Sequence, residues 1–167
     1  RSRPFEEILA EAKALVSSGV KELILVAQDT TRYGEDLYGS LRLAELLKEL
    51  NKLEALKWIR ILYCYPQYFT DDLIEAIADC DKVCKYVDIP LQHISDSLLS
   101  SMNRPDTKKQ IVTLLAKLKK RIPDICIRTT FIVGFPGETK DDFEELKAFV
   151  AEEKFACAGV FTYSQEE

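Results

Sequence analysis

The sequence has a single histidine, a single methionine, a single tryptophan, and only six glycines and six prolines in 167 residues. So few chain-breaking residues exclude a low-complexity or linker-dominated protein. No apolar run approaches the ~18 residues of a membrane span, and no secretory signal opens the chain. The five cysteines are odd in number and scattered, which does not read as a disulfide framework and suits a cytoplasmic protein. Excess positive charge is lacking as well. A net charge of −5 supplies no footprint for direct nucleic-acid binding. The one basic run, Lys117, Lys119, Lys120 and Arg121, falls near the end of an amphipathic helix, where cations suit the helix dipole.

What the chain does have is an alternation of helical and strand patterns around enough apolar residues (47%) for one sizeable core. Phe5, Ile8, Leu9, Ala12, Leu15 and Val16 keep helical spacing and Gly19 supplies the stop. Glu22 to Ala27 is expected as a short strand buried on both faces. Leu43, Leu46, Leu47 and Leu50 form the next helical stripe, followed by a strand over Trp58 to Tyr63. Thr70 caps a helix bearing Leu73, Ile74 and Ile77, and a strand follows at Tyr86 to Ile89. Ser95 opens one helix, and Thr107 with Gln110 forms a capping box for another carrying Ile111, Leu114, Leu115 and Leu118. Ile125 to Val133 is the longest strand; Thr139 caps a helix with Phe143, Leu146 and Val150, and Ala156 to Tyr163 is the last strand.

Strands recurring every roughly 30–40 residues with helices between them predict repeated parallel βαβ units in one α/β domain. Five strands are too few for a closed eight-stranded barrel, which leaves an open partial barrel or a doubly wound sheet. Both ends look cut, because Arg1-Ser2-Arg3-Pro4 runs straight into a helix without an initiator Met, and the chain stops just past a strand.

In parallel α/β proteins ligands bind beyond the carboxyl ends of the strands. The unusual polar residues obey that rule: Gln28-Asp29-Thr30-Thr31, Tyr65-Pro66, Pro90-Leu91-Gln92-His93, Gly134-Phe135-Pro136-Gly137-Glu138 and Tyr163-Ser164 each follow a strand. Taken singly, each has a plainer reading. Asp29 to Thr31 could form only a turn, Gly134 and Gly137 could serve only backbone geometry, and Glu138 could serve only the helix dipole. His93 reads more simply as a loop or surface residue than as a catalytic one. Within the strands, Arg60, Asp88 and Arg128 are each flanked by residues that period-two alternation sends to the other face. Three charges aimed inward predict a polar lumen. Cys80 and Cys84 lack a third cysteine at cluster spacing, Cys126 and Cys157 read as small buried residues, and no cysteine is expected to bind metal.

Six stretches in order carry a resemblance: RSRP at the start, KELILVAQDTTRYGEDLYG, WIRILYCYP, YVDIPLQHISDSLLSSMNRP, RTTFIVGFPGET and FTYSQEE. The chain resembles the core of the radical S-adenosylmethionine methylthiotransferases, and specifically the RimO-type branch that modifies an aspartate of ribosomal small-subunit protein twelve. Transfer-RNA methylthiotransferases are similar, but usually carry a GQN-type segment at Gln28 to Thr31 and a Val-Gln-Ser-Gly-Ser type segment at Leu91 to Ser95.

The resemblance implies a parallel partial (β/α)6 barrel, TIM-like and open as a horseshoe. The five strands here would be its second to sixth, with the first strand missing. Residues 1–167 would be one truncated radical SAM core domain, with an N-terminal methylthiotransferase domain and a C-terminal TRAM domain absent. It implies S-adenosylmethionine as cofactor and two 4Fe–4S clusters in the full-length parent. One cluster would be held by a Cys-x-x-x-Cys-x-x-Cys loop that this sequence does not contain, so the fragment alone is expected to be inactive. An electron donor and the ribosomal protein are the implied partners. Carried over by position, Gln28 falls at the methionyl end of the cofactor, Gln92 after the strand associated with the ribose, Gly134, Gly137 and Glu138 in the segment lining the adenine, and Tyr163 on the strand flanking it. Arg128 is a candidate carboxylate partner, since a fork of donors suits a carboxylate. No residue is assigned a catalytic role. The alternatives left open are a transfer-RNA methylthiotransferase and a metal-free α/β domain whose GFPGE turn cradles a phosphate at a helix N-terminus.

Overall fold

The computed structural model describes residues 1–165; Glu166 and Glu167, the tail of the FTYSQEE stretch, lie outside the described residues. Helix α1 (Phe5–Ser17) ends where Gly19 takes φ 105°, which lets Gly19 N–H and Val20 N–H reach back to the carbonyls of Val16 and Leu15. Strand β1 (Glu22–Leu25) follows, then a one-turn helix α2 (Glu35–Tyr38), α3 (Leu43–Asn51) and strand β2 (Trp58–Ile61). Helix α4 (Asp71–Asp79) starts at Thr70, whose hydroxyl accepts from Leu73 N–H. At its other end the chain turns away in extended conformation without a glycine. There Lys85 Nζ supplies the missing donors, to the carbonyls of Ile77 (2.6 Å), Ala78 (3.0 Å) and Cys80 (3.0 Å). Strand β3 (Tyr86–Asp88), the pair α5 (Asp96–Ser101) and α6 (Lys108–Arg121), strand β4 (Cys126–Val133), helix α7 (Lys140–Glu153) and strand β5 (Cys157–Thr162) complete the alternation. The expected capping box of Thr107 with Gln110 is formed on α6, and the Thr139 cap on α7 proves to be a second box, closed by Asp142.

All the paired strands are parallel. β1 pairs with β2, and β3, β4 and β5 lie in that order. Between β2 and β3 the ladder thins to one bridge, Ile59 with Val83, and a carboxyl-end bond from Cys64 N–H to the Asp88 carbonyl (2.8 Å). The sheet is therefore an arc with a seam and does not close, as expected for a partial barrel. The core lies on its outer side. Leu23, Ile59, Ile61, Val87, Ile89, Ile127 and Phe131 of the strands are buried in one cluster with Leu47, Leu50, Ile77, Leu115 and Leu118 of the helices. Phe131 is fully buried and meets Phe149 and Phe155 edge-on, at ring-centre distances of 6.4 and 5.8 Å.

Three expectations are corrected here. β1 is not buried on both faces, because Ile24 is 52% exposed while Leu23 packs under the helices. The inner side of the arc is uncovered, and Trp58 and Phe161 are also exposed on it. On α7 Leu146 and Val150 do face the core, but the third inward residue is Phe149; Phe143 is exposed and lies beneath the Lys147 ammonium. The pull of Phe131 and Phe155 on Phe149 sets that rotation of the helix. Finally, Cys126 is only half-buried and Cys157 is exposed, since both face the open side.

Candidate functional site

The loops at the carboxyl ends of the strands interlock from one to the next. Asp29 accepts from Thr31 N–H (3.0 Å) and from the Thr31 hydroxyl, which fixes the turn Thr30–Arg32. Burial pushes the Asp29 carboxyl up, and the Thr31 contacts pull it back. Thr30 then donates twice to the second loop, from N–H to the Tyr63 carbonyl (2.9 Å) and from its hydroxyl to the Leu62 carbonyl (2.5 Å). The Thr31 hydroxyl accepts from Tyr65 N–H (3.1 Å). Asp29 to Thr31 is a turn, as its plainer reading held, and also a clasp on the neighbouring loop. Gln28 is exposed beside it, on the wall of a groove of about 830 Å³ lined also by Ile24, Val26 and Arg3.

The inward charges predicted from strand alternation lie on the inner face and pair across it. Arg60 meets Glu22 at 2.8 Å and covers the Tyr86 ring. Asp88, 1% exposed, accepts from Arg128 Nη1 at 3.1 Å with one oxygen and from Tyr63 N–H at 3.3 Å with the other. Tyr63 sits in the left-handed region at φ 55°, a strain held by the contacts on both sides of it. The lumen is mixed rather than polar throughout, because Ile24, Trp58 and Phe161 share that face with the charges. Arg128, the candidate carboxylate partner, is half-exposed and carries Asp88 on one arm. Cys64, beside this cluster, is buried; desolvation, with the Asp88 and Asp29 charges, pushes its thiol up and disfavours the thiolate a metal would need.

The third and fourth loops meet through Gln92 and His93. Gln92 adopts φ 69° and bridges to β4, donating to the Thr130 carbonyl (2.9 Å) and accepting from Ile132 N–H (2.8 Å). Its side-chain Oε1 is buried and has no hydrogen-bond partner. Buried acceptors are rarely left without one, so this atom has an accepting capacity that no other group of the chain uses. His93 is a loop residue, as expected, but it is fully buried, which rules out the surface reading. Its Nδ1 accepts from Ser95 N–H (3.0 Å) and its Nε2 lies 3.3 Å from Glu138 Oε1. The other Glu138 oxygen accepts from Gly134 N–H. Gly134 and Gly137 take φ 73° and 93°, so both do perform the backbone turn that favours glycine. Tyr163 N–H donates to the Val133 carbonyl (2.8 Å) and its ring stands edge-on to Phe135 at 5.1 Å.

Of the seven residues expected at the site, Gln92, Gly134, Gly137, Glu138 and Tyr163 fall on the joined ends of β3, β4 and β5. Gln28 lies at the end of β1, and Arg128 lies deeper on the inner face. Sequence reasoning missed Asp106, which is buried with Oδ1 unpartnered; burial raises its carboxyl, against the pull of Arg104. Arg104 covers the Tyr65 ring and donates to the Pro90 carbonyl, tying a third loop into the rim. No periodicity marks an irregular segment of this kind. Among the described residues no group of three or more His, Cys, Asp or Glu side chains could hold a metal ion, and no helix is long and apolar enough to cross a membrane.

Residues 1–150 match the family described as the Radical SAM superfamily. The chain belongs to that superfamily. Over all 167 residues it is 59% identical to the ribosomal protein uS12 methylthiotransferase RimO of Desulforamulus reducens, of which it spans 38%. The radical SAM fold is seen in solved structures as well. The methyltransferase TsrM from Kitasatospora setae, described with cobalamin and a [4Fe-4S] cluster bound, superposes with a TM-score of 0.73 over 96% of this chain and 31% of its own, at 18% identity. Coproporphyrinogen III oxidase HemN from Escherichia coli gives 0.67 over 97% of this chain and 38% of its own, at 17% identity.

Proposed function

We propose that this segment is the S-adenosylmethionine-binding core of a RimO-type methylthiotransferase, which adds a methylthio group to the β-carbon of an aspartate in ribosomal protein uS12. The sequence relationship to RimO supports the substrate, and the buried, unpartnered Gln92 Oε1 beside the Gly134–Glu138 turn supports the cofactor site. In the complete protein we place an N-terminal methylthiotransferase domain before this core and a TRAM domain after it. We also propose two 4Fe–4S clusters, an external electron donor and a cytoplasmic location beside the ribosome.

The residues present fit the nucleoside but not the clusters. Gln92 Oε1 offers an acceptor to a ribose hydroxyl. The glycine turn and the Tyr163 backbone offer a flat wall and peptide groups to an adenine. Gln28 and the arm of Arg128 not engaged by Asp88 would hold the methionyl amine and carboxylate. Thiolates suited to a cluster are missing from the rim, Cys64 being buried and disfavoured as a thiolate, so the clusters must be held by residues other than these. When bound, S-adenosylmethionine supplies the radical chemistry; the residues of this chain would bind and orient it.

The phosphate-cradle reading loses support here. Gly134 N–H is already engaged by Glu138 and Thr139 N–H by Asp142, and Asp141 and Asp142 put negative charge in the first turn of α7. The test is methylthiolation by the complete chain after anaerobic cluster reconstitution, offering uS12 and transfer RNA in parallel and reading the products by mass spectrometry. Methylthiolated uS12 is expected. Modification of the transfer RNA instead, or no iron uptake at all, overturns the proposal. Gln92→Ala should weaken S-adenosylmethionine binding about tenfold, the value of one buried hydrogen bond.

A further inference from the structure

His93 is the sole histidine and is wholly buried, yet nothing in the proposed chemistry uses it. Its two ring nitrogens face groups of opposite kind. Ser95 N–H points at Nδ1 from 3.0 Å, and a backbone N–H only donates, so Nδ1 must be the acceptor. The ring proton is then on Nε2, which faces Glu138 Oε1 at 3.3 Å. Glu138, with a side chain 7% exposed, uses its remaining oxygen on Gly134 N–H. A line of directed hydrogen bonds therefore runs from Ser95 through His93 and Glu138 to Gly134. A second tie runs beside it, since the Ser95 hydroxyl donates to Asp142 at 2.6 Å and Asp142 caps α7 through Thr139.

We propose that His93 is a positioning residue: as the Nε2-protonated tautomer it holds the Glu138 carboxylate onto Gly134 N–H and so fixes the shape of the Gly134–Thr139 turn. The turn needs such a hold. Gly134 and Gly137 both sit at positive φ, where a glycine backbone has the most freedom to leave, and a nearly buried carboxylate with one partner lost is costly. The consequence for ligand binding rests on the reading of this turn as the adenine wall; the hydrogen-bond relay itself does not.

The test uses the complete, reconstituted chain and three variants. His93→Asn keeps an acceptor near Ser95 N–H but is too short to reach Glu138. His93→Gln is long enough to donate to Glu138. Glu138→Ala removes the target. In the parent, 15N spectra of the imidazole should show a protonated Nε2 and a bare Nδ1. His93→Asn should speed exchange of the Gly134 amide by about ten- to a hundredfold, as expected for loss of a hydrogen bond to a charged group. It should weaken S-adenosylmethionine binding, measured by anaerobic titration calorimetry, about tenfold. His93→Gln should recover most of both losses. Adding His93→Asn to Glu138→Ala should change neither further. A proton on Nδ1, an unchanged Gly134 amide in His93→Asn, or equal losses in the Asn and Gln variants would overturn the assignment. A parent chain that shows the relay by spectra and exchange but binds no S-adenosylmethionine sinks the cofactor reading alone.

Discussion

Replacing Asp88 by alanine tests the seam of the arc and the rim together. Its carboxylate is 1% exposed and fills two roles, ion-pair partner of Arg128 and acceptor for Tyr63 N–H. A hydrogen bond to a charged group contributes ~1.5–3 kcal/mol when both partners are desolvated. Arg128 is half in solvent, which screens its share to about 1 kcal/mol. Leaving the Tyr63 N–H without its acceptor costs a further ~1–2 kcal/mol, towards the low end because the bond is long. Asp88→Ala should therefore lose about 2–3 kcal/mol, and Asp88→Asn, which keeps an acceptor for Tyr63, about 1 kcal/mol. For a chain of this length 1 kcal/mol lowers Tm by roughly 2–4 °C, so the alanine variant should melt about 5–10 °C below the parent by circular dichroism. Because Tyr63 is held at positive φ from both sides, the same variant should loosen the amides of Thr30 and Tyr65 in hydrogen exchange. An alanine variant within 0.5 kcal/mol of the parent, or alanine and asparagine variants of equal stability, would refute the assignment of Asp88 as the carboxyl-end lock.

Phe131→Ala should cost ~3–5 kcal/mol in urea unfolding and Phe131→Leu about 1 kcal/mol, since the ring is fully buried between Phe149 and Phe155. Hydrogen bonds from Ser95 and then Thr139 hold the Asp142 carboxyl at about 2. A carboxyl depressed on folding stabilises above its unfolded value of about 4 and loses that contribution as pH falls towards its folded value. Asp142→Asn should accordingly have a lower urea midpoint than the parent at pH 7, with the gap closing between about pH 4 and pH 2. In the folded chain Cys64 should resist iodoacetamide at pH 8 while Cys157 reacts, with Cys64 labelled only after unfolding, as peptide mass spectrometry would show.

What the sequence made legible was what local chemistry decides. Thr70, Thr107 with Gln110, and Thr139 signal helix starts through bonds that span three residues, so no distant partner can alter them. The alternation around Arg60, Asp88 and Arg128 settles which side of the sheet each takes, because strand geometry allows only two choices. The site residues were found through the rule that parallel strands present their loops at one end. The losses lie where a distant segment chooses. Ile24 looked buried because an apolar strand does not say whether its inner face is covered. Phe149 rather than Phe143 faces inward because Phe155 and Phe131 select that turn of the helix. His93 looked idle because its decisive partner, Glu138, is 45 positions away.

The uncovered inner face also leaves a thermodynamic mark. The folded chain exposes 9595 Å², whereas a compact monomer of its 19.1 kDa would expose about 8,400 Å². Side chains such as Trp58, Ile24 and Phe161 are thus already largely hydrated in the native state. Surface that is wet before unfolding adds nothing to the heat capacity released by unfolding. The segment should accordingly have a smaller heat-capacity increment per residue than closed α/β domains, and a flatter stability curve. Covering that face would deepen the curve by the ordinary hydrophobic route, so the open side of the arc sets the temperature response of the fold as well as its shape.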